Sequence, residues 1–343
     1  MKTIRQQRRQ FGYAILGVML AGLTAFGKGS EPRSVRSVWG PAQSGKPHNA
    51  FTDLVRFQDA WFLAFREALK HHGGLEGKGR LRVLRSADGE SWTTAGLFEL
   101  EEGDLRDAKL SVTGKGQLML NSAIQVYRPD PVKHKNFAWF SRDGTIWGEP
   151  VQIGEPDIWI WSVTWHQGVA YGVGYPTTRK GPARLYRSAD GRTWEVLVEN
   201  FQAGNEAALA FGPDDTATCL LRTPGYIGQA KPPYTEWIWQ RAVNLGGPDL
   251  LRLPDGRWIA GGRTAWGTTQ LFEIDPLTGV HALLCGLPSQ GDCGYPGLVF
   301  HQGELWASYY TGSDDSNFQT EVYALPCEIR IARVDAGAVL SGE

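Results

Sequence analysis

Ser86-Ala87-Asp88-Gly89-Glu90-Ser91-Trp92 is the first of three related stretches, followed by Ser141-Arg142-Asp143-Gly144-Thr145-Ile146-Trp147 and Ser188-Ala189-Asp190-Gly191-Arg192-Thr193-Trp194. Each reads Ser-x-Asp-Gly-x-x-Trp, and the copies lie about 50 residues apart, a spacing found in propeller blades and other repeat arrays. The pattern suits a β-hairpin turn. Aspartate accepts backbone N–H groups, glycine tolerates positive φ, and tryptophan packs over the hairpin as the next strand begins. A single Asp-Gly turn says little. Three in register specify a repeated architecture.

These turns resemble the Asp-box of the sialidase (neuraminidase) superfamily, which closes the hairpin between the third and fourth strands of a propeller blade. The boxes imply architecture and no chemistry. Around them, apolar runs broken by Gly, Asp and Pro mark paired strands. The opening strands of successive blades read as Asp53 to Phe57, Ala108 to Val112, Ser162 to Trp165, Ala207 to Phe211, Asp249 to Leu253 and Leu298 to Phe300. The expected fold is therefore an all-β, six-bladed β-propeller with Asp-box hairpin turns, one domain over residues 33–337. An open ring would leave a bare sheet edge, and Ser34 to Val38 is the strand expected to complete the last blade.

The composition agrees. Gly 43 and Trp 14 fit many short strands joined by tight turns. With 35 basic against 36 acidic residues the net charge is −1, so no basic field exists to hold nucleic acid. Lys2, Arg5, Arg8 and Arg9 precede an apolar run from Phe11 to Phe26. At about sixteen residues the run suits a secretory signal better than a membrane span. Residues 1–30 are read as a signal peptide, Arg8-Arg9-Gln10-Phe11 resembles a twin-arginine signal, and a retained anchor is the alternative. The expected location is periplasmic or extracellular. Export permits disulfides, and Cys285 with Cys293 could close a short loop; buried thiols are the other reading.

Loops that lead into the innermost strands of a propeller gather at one face of its axis. Here they carry His48 and Asn49, Arg106 and Asp107, Trp159 and Trp161, Asn205 and Glu206, Asp249, and Asp292 with Tyr295. The sialidase resemblance reaches furthest in the last three blades, through Asn205-Glu206-Ala207-Ala208-Leu209 with Leu220-Leu221-Arg222, Gly247-Pro248-Asp249 with Gly261-Gly262-Arg263, and Tyr295-Pro296-Gly297-Leu298. It implies Tyr295 as nucleophile, Glu206 as the base that takes its proton, and Arg222 with Arg263 as a carboxylate clamp. A phenol with pKa near 10 attacks poorly until a carboxylate relieves it of its proton, and paired guanidinium groups grip a carboxylate.

The first blade departs from the family pattern. Where a sialidase places an arginine before Ile-Pro, this chain has His48-Asn49-Ala50-Phe51-Thr52-Asp53. The loop that bears the family's acid aspartate runs from Arg66 to Glu76 and contains none, leaving His71, His72 or Glu76 for that place. Asp107 is a further candidate acid, and Arg106 a substitute for the missing arginine. Asp53, His71 and Trp161 complete the expected substrate contacts. Three functions compete: an exported exo-glycosidase acting on a terminal acidic sugar, a polysaccharide lyase using His and Tyr on a uronate, and a non-catalytic glycan- or protein-binding propeller. The expected partner is a glycan or polysaccharide bound by a monomer, with no cofactor, no metal, no nucleic acid and no stable membrane span after processing.

Overall fold

The computed structural model describes residues 29–72, 77–128, 131–178, 180–312 and 326–337. Residues 1–28 of the signal-peptide reading, and Glu76, lie outside the described residues. Six four-stranded antiparallel sheets form a six-bladed propeller. Blade 1 comprises β2 (His48–Phe57), β3 (Ala60–Ala68), β4 (Arg80–Ser86) and β5 (Thr93–Phe98). Blade 2 comprises β6 (Gly103–Val112), β7 (Leu118–Val126), β8 (His134–Ser141) and β9 (Val151–Ile153). Blade 3 holds β10 (Ile158–His166) to β13 (Glu195–Gln202), and blade 4 holds β14 (Ala207–Phe211) to β17 (Ile238–Arg241). Blade 5 runs from β18 (Gly246–Arg252), through β19 (Trp258–Arg263), to β21 (His281–Leu287). Blade 6 joins β22 (Gly294–His301), β23 (Glu304–Gly312) and β24 (Cys327–Val334) to β1 (Ser34–Trp39). The first described strand thus pairs with the last, Val35 opposite Ala332, and closes the ring. Among the described residues no helix is long and apolar enough to cross a membrane.

The three repeated motifs each turn the chain from the third to the fourth strand of blades 1, 2 and 3. In every copy the aspartate accepts the N–H groups of the two residues after the glycine at 2.8 Å. The serine hydroxyl accepts the glycine N–H at 2.8–2.9 Å. Those backbone bonds hold the Asp88 and Asp143 carboxyls down at about 2. The glycines sit against neighbouring aromatics: Gly144 has φ 76°, and a Cβ there would stand 2.2 Å from Phe62 Cζ in the adjoining blade. Gly144→Ala combines an unfavourable left-handed backbone with overpacking of a buried ring. It should cost about 2–4 kcal/mol, read as a lowered denaturation midpoint; an unchanged midpoint would mean that the blade seam is loose.

The innermost strands share a feature that the alternation of the sequence conceals. Five of them bulge at equivalent places, between Ala50 and Asp53, Arg106 and Lys109, Ile160 and Val163, Gly246 and Asp249, and Gly294 and Gly297. Phe51, Asp107, Gly247 and Tyr295 take positive φ there, at 60°, 52°, 57° and 52°. A bulge re-aims one side chain and sharpens the local twist. β14 pairs without a shift, and Glu206 stands just before it. Around the axis the residues at these positions are Phe51, Asp107, Trp161, Glu206, Gly247 and Tyr295, so polar groups alternate with aromatic rings or a glycine.

All four cysteines are buried thiols outside any disulfide, so of the two readings the buried thiols hold and the Cys285–Cys293 bridge does not. Three of the thiols are turned toward backbone carbonyls, Cys293 toward Gly267 at 3.1 Å, Cys285 toward Gly286 at 3.6 Å and Cys327 toward Asp292 at 3.8 Å.

Candidate active site

A cavity of about 290 Å³ opens where the bulged strands converge, lined by Phe51, Asp107, Glu206 and Tyr295 together with Arg106, Arg222, Arg263, His71, His72, Trp159 and Tyr175. A groove of about 1300 Å³ is larger, but it lies at the outer turns of blades 4 and 5 beside Pro232, Trp237 and Leu277, remote from these groups.

Blade 5 brings Tyr295 and Glu206 together by contributing no side chain between them. The Gly247 N–H donates to Glu206 Oε2 at 2.7 Å, and the Tyr295 hydroxyl donates to Oε1 at 2.9 Å. A Cβ on Gly247 would stand 2.3 Å from Tyr295 Cγ. Arg222 Nη1 also donates to Glu206 Oε1 at 2.6 Å and lies 3.4 Å from the Tyr295 oxygen. The tyrosine ring is held by Phe51 (centroids 5.0 Å), Trp161 (5.4 Å) and Tyr310 (6.0 Å). Burial, reinforced by the Glu206 charge, raises the phenol well above its usual value. Tyr295 is accordingly a neutral phenol with a carboxylate acceptor at its oxygen.

Arg222 and Arg263 face one point. A methyl group on Gly246 would lie 3.6 Å from Arg222 Cζ and 3.5 Å from Arg263 Nη2. Arg263 also covers the Tyr295 ring, its Cζ 5.4 Å from the centroid. Arg106 is the third cavity arginine, over Phe51 at 5.3 Å and donating to the His71 carbonyl at 2.8 Å. Arg66, on the second strand of blade 1, stays behind the wall, fully buried in a two-pronged pair with Asp104 at 2.8 and 2.9 Å. Asp107 is buried beside Arg106. Burial pushes its carboxyl up to about 7, against the pull of Arg106 and with the help of the Glu206 charge.

Asp292 joins the walls of three blades. Its Oδ2 accepts from His71 Nδ1 at 2.5 Å and His48 Nε2 at 2.9 Å, and its Oδ1 from Tyr310 at 2.7 Å and Arg263 Nη1 at 3.3 Å. Burial alone would raise this carboxyl, but the histidine hydrogen bonds prevail and hold it far below the usual range. Burial lowers His71 and His48 despite Asp292, and burial followed by His71 lowers His72. The ligating atoms of His48, His71 and Asp292 lie within 4.8 Å of one another, a spacing a metal ion could use. Their chemistry is that of a hydrogen-bond network instead. Arg66 Nη1 donates to His48 Nδ1 at 3.3 Å, which puts the His48 proton on Nε2 toward Asp292, and the Arg66, Arg106 and Arg263 charges surround the group.

Two expected contacts fall outside the cavity lining. Asp53 lies two residues along β2 beyond the cavity residue Phe51 and accepts the Leu110 N–H at 2.6 Å, tying blade 1 to blade 2, as Asp249 accepts from Leu298 at 2.7 Å. Burial raises both carboxyls, with Lys109 opposing. Trp161 is 1% exposed and supports Tyr295 from behind; Trp159 and Tyr175, nearly parallel at 6.4 Å, are the cavity aromatics of blade 3. Phe51, Tyr175 and the carboxylate hub were not singled out as a set from the sequence. The prolines after Gly247 and Tyr295 were the available sign of interrupted strands.

No family model and no curated protein matches the chain. Solved structures share its fold. A protein of unknown function from Dyadobacter fermentans DSM 18053 is 18% identical and aligns over 88% of this chain and 99% of its own, with a TM-score of 0.69. A Trypanosoma rangeli sialidase, solved as a covalent intermediate with 2,3-difluorosialic acid, is 11% identical over 88% of this chain and 59% of its own, with a TM-score of 0.64. The chain therefore spans about three fifths of that sialidase. An alpha-L-arabinanase of Penicillium chrysogenum, complexed with arabinobiose, is 13% identical over 89% and 99%, also with a TM-score of 0.64. At these identities the shared property is the six-bladed fold.

Proposed function

We propose that this protein is an exported, sialidase-like exo-glycosidase that removes a terminal acidic sugar with retention. The observation that carries the proposal is the 2.9 Å bond from the Tyr295 hydroxyl to Glu206 in a cavity ringed by three arginines. The propeller neighbours that act on or bind sugars add support from fold alone. The cavity sits at the small end of ligand pockets, which suits one terminal residue better than a run of polysaccharide.

In this mechanism Arg222 and Arg263 hold the sugar carboxylate, with Arg106 beside them. The Tyr295 oxygen attacks the anomeric carbon as its proton passes to Glu206. Asp107 protonates the departing oxygen, leaving a tyrosyl-sugar intermediate that water then cleaves. A tyrosine nucleophile is a known exception to the two-carboxylate scheme.

A uronate lyase is the second reading, favoured by the histidine-carboxylate pair on the same cavity wall. Incubating purified mature protein with terminal sialyl, uronyl and neutral glycosides separates the two. A hydrolase releases a saturated sugar, whereas an unsaturated uronate absorbing in the near ultraviolet would establish the lyase. Release of neither would leave a binding propeller. For export, the amino terminus of secreted protein is expected between about Lys28 and Arg33; full-length protein confined to the cytosol would refute that.

The acid role makes a pH prediction. A carboxyl raised to about 7 is a donor below that pH and loses its proton above it, so kcat/KM should fall on the alkaline side of about pH 7. Asp107→Asn should lose about 10²–10⁴-fold with a poor leaving group, much less with an activated aryl glycoside, and the alkaline limb should vanish. An alkaline limb that persists in Asp107→Asn would exclude Asp107 as the donor.

A further inference from the structure

We propose that His71, oriented by Asp292, is a catalytic base that activates the water in the second half of the reaction. The proposal rests on the glycosidase reading and adds to it a division of labour between two proton-transfer residues. Its basis is geometric. Asp292 accepts only, so the 2.5 Å contact places the His71 proton on Nδ1 and leaves the lone pair of the imidazole on Nε2. The ring lines the cavity, packed edge-on to Phe51 at 5.1 Å and beside His72 at 4.6 Å. Asp292 is itself fixed by His48, Tyr310 and Arg263, so the dyad is rigidly mounted. A carboxylate that fixes tautomer and orientation behind an imidazole is the arrangement general bases require.

Among the described residues, the titratable and charged groups facing His71 include Asp292, Arg106, His48 and His72. Burial, together with Arg106 and His48, favours the neutral ring against the pull of Asp292, while Asp107 retains its proton up to about 7. Base and acid forms therefore coexist in one cavity. In the first half-reaction Asp107 gives its proton to the leaving group. In the second, His71 Nε2 takes a proton from water as the water oxygen bonds to the anomeric carbon. The bond from that carbon to the Tyr295 oxygen breaks, and Glu206 returns its proton to the phenolate. His71 then passes its proton through solvent to the Asp107 carboxylate, which restores the starting state.

The test uses His71→Gln with an aryl glycoside of whichever acidic sugar the wild type hydrolyses. We expect a burst of aryl alcohol equal to the enzyme, then turnover about 10²-fold or more below wild type, with a glycosyl adduct visible by intact mass. Azide, a nucleophile with no proton to lose, should restore aryl release and yield glycosyl azide, a rescue that also demonstrates a folded site. Loss of turnover without burst or azide rescue, or no loss at all, would overturn the role of His71 and leave the glycosidase reading standing. Failure of the wild type to release any sugar would reject both.

Discussion

Tyr295→Phe is expected to lower turnover by about 10³-fold or more while leaving the affinity for an uncleaved acidic ligand within about threefold. The substitution deletes one oxygen and keeps the ring that Phe51, Trp161 and Tyr310 hold in place. Glu206 keeps its bonds from Arg222 and from the Gly247 N–H, so no buried acceptor is stranded and the stability cost should be that of one hydrogen bond, about 1 kcal/mol. The arginines remain for the carboxylate. Arg263→Ala should behave in the opposite way, raising the dissociation constant first. Equal kcat in Tyr295→Phe and wild type would remove the tyrosine from the chemistry.

Gly247→Ala should be nearly as damaging, although the residue bears no reactive group. Its φ of 57° disfavours any side chain, and the new Cβ would fall 2.3–2.6 Å from Tyr295 Cγ, Cδ1 and Cδ2. The ring must move away from Glu206. Displacement of about 1 Å at a reacting atom costs on the order of 10²-fold in rate, so activity should fall at least that far, with a lowered melting temperature. Gly286→Ala is the control, because nothing lies within 4 Å of a Cβ there and its φ is ordinary. Wild-type activity in Gly247→Ala would show that the pairing of Tyr295 with Glu206 is incidental.

The propeller was readable in the sequence because its signals are local. Three Asp-Gly turns and six alternating hairpins need no tertiary information, and the strand at Ser34 followed from the cost of an open edge. The boundaries of the inner strands were a different matter. Asp53 to Phe57, Ala108 to Val112 and Ser162 to Trp165 are the halves that follow the bulges in β2, β6 and β10. An extra residue breaks period-two alternation, so the preceding halves read as loops. Those halves carry the cavity. Ala207 to Phe211, the opening strand without a bulge, was legible end to end.

The same break explains the side chains that were misplaced. Regular alternation would put Asp53, an expected substrate contact, on the same face as Phe51, yet the bulge between Ala50 and Asp53 turns it to a neighbouring blade's backbone. Glu206, Arg222, Arg263 and Tyr295 were legible through family resemblance, and the structure brings all four to one cavity. The Asp292 hub was not, since its partners come from residues 48, 71, 263 and 310 and no local pattern links them.

Trapping a covalent sugar on Tyr295 tests the tyrosine mechanism directly. The protein is incubated with fluorinated terminal acidic sugars bearing an activated leaving group, such as 2,3-difluorosialic acid and 2-fluoro-uronyl fluorides, then digested and read by mass spectrometry. A single adduct is expected on the peptide containing Tyr295, absent in Tyr295→Phe. Steady release of saturated sugar from the natural glycoside, with no adduct from any probe and undiminished release by Tyr295→Phe, would contradict that mechanism.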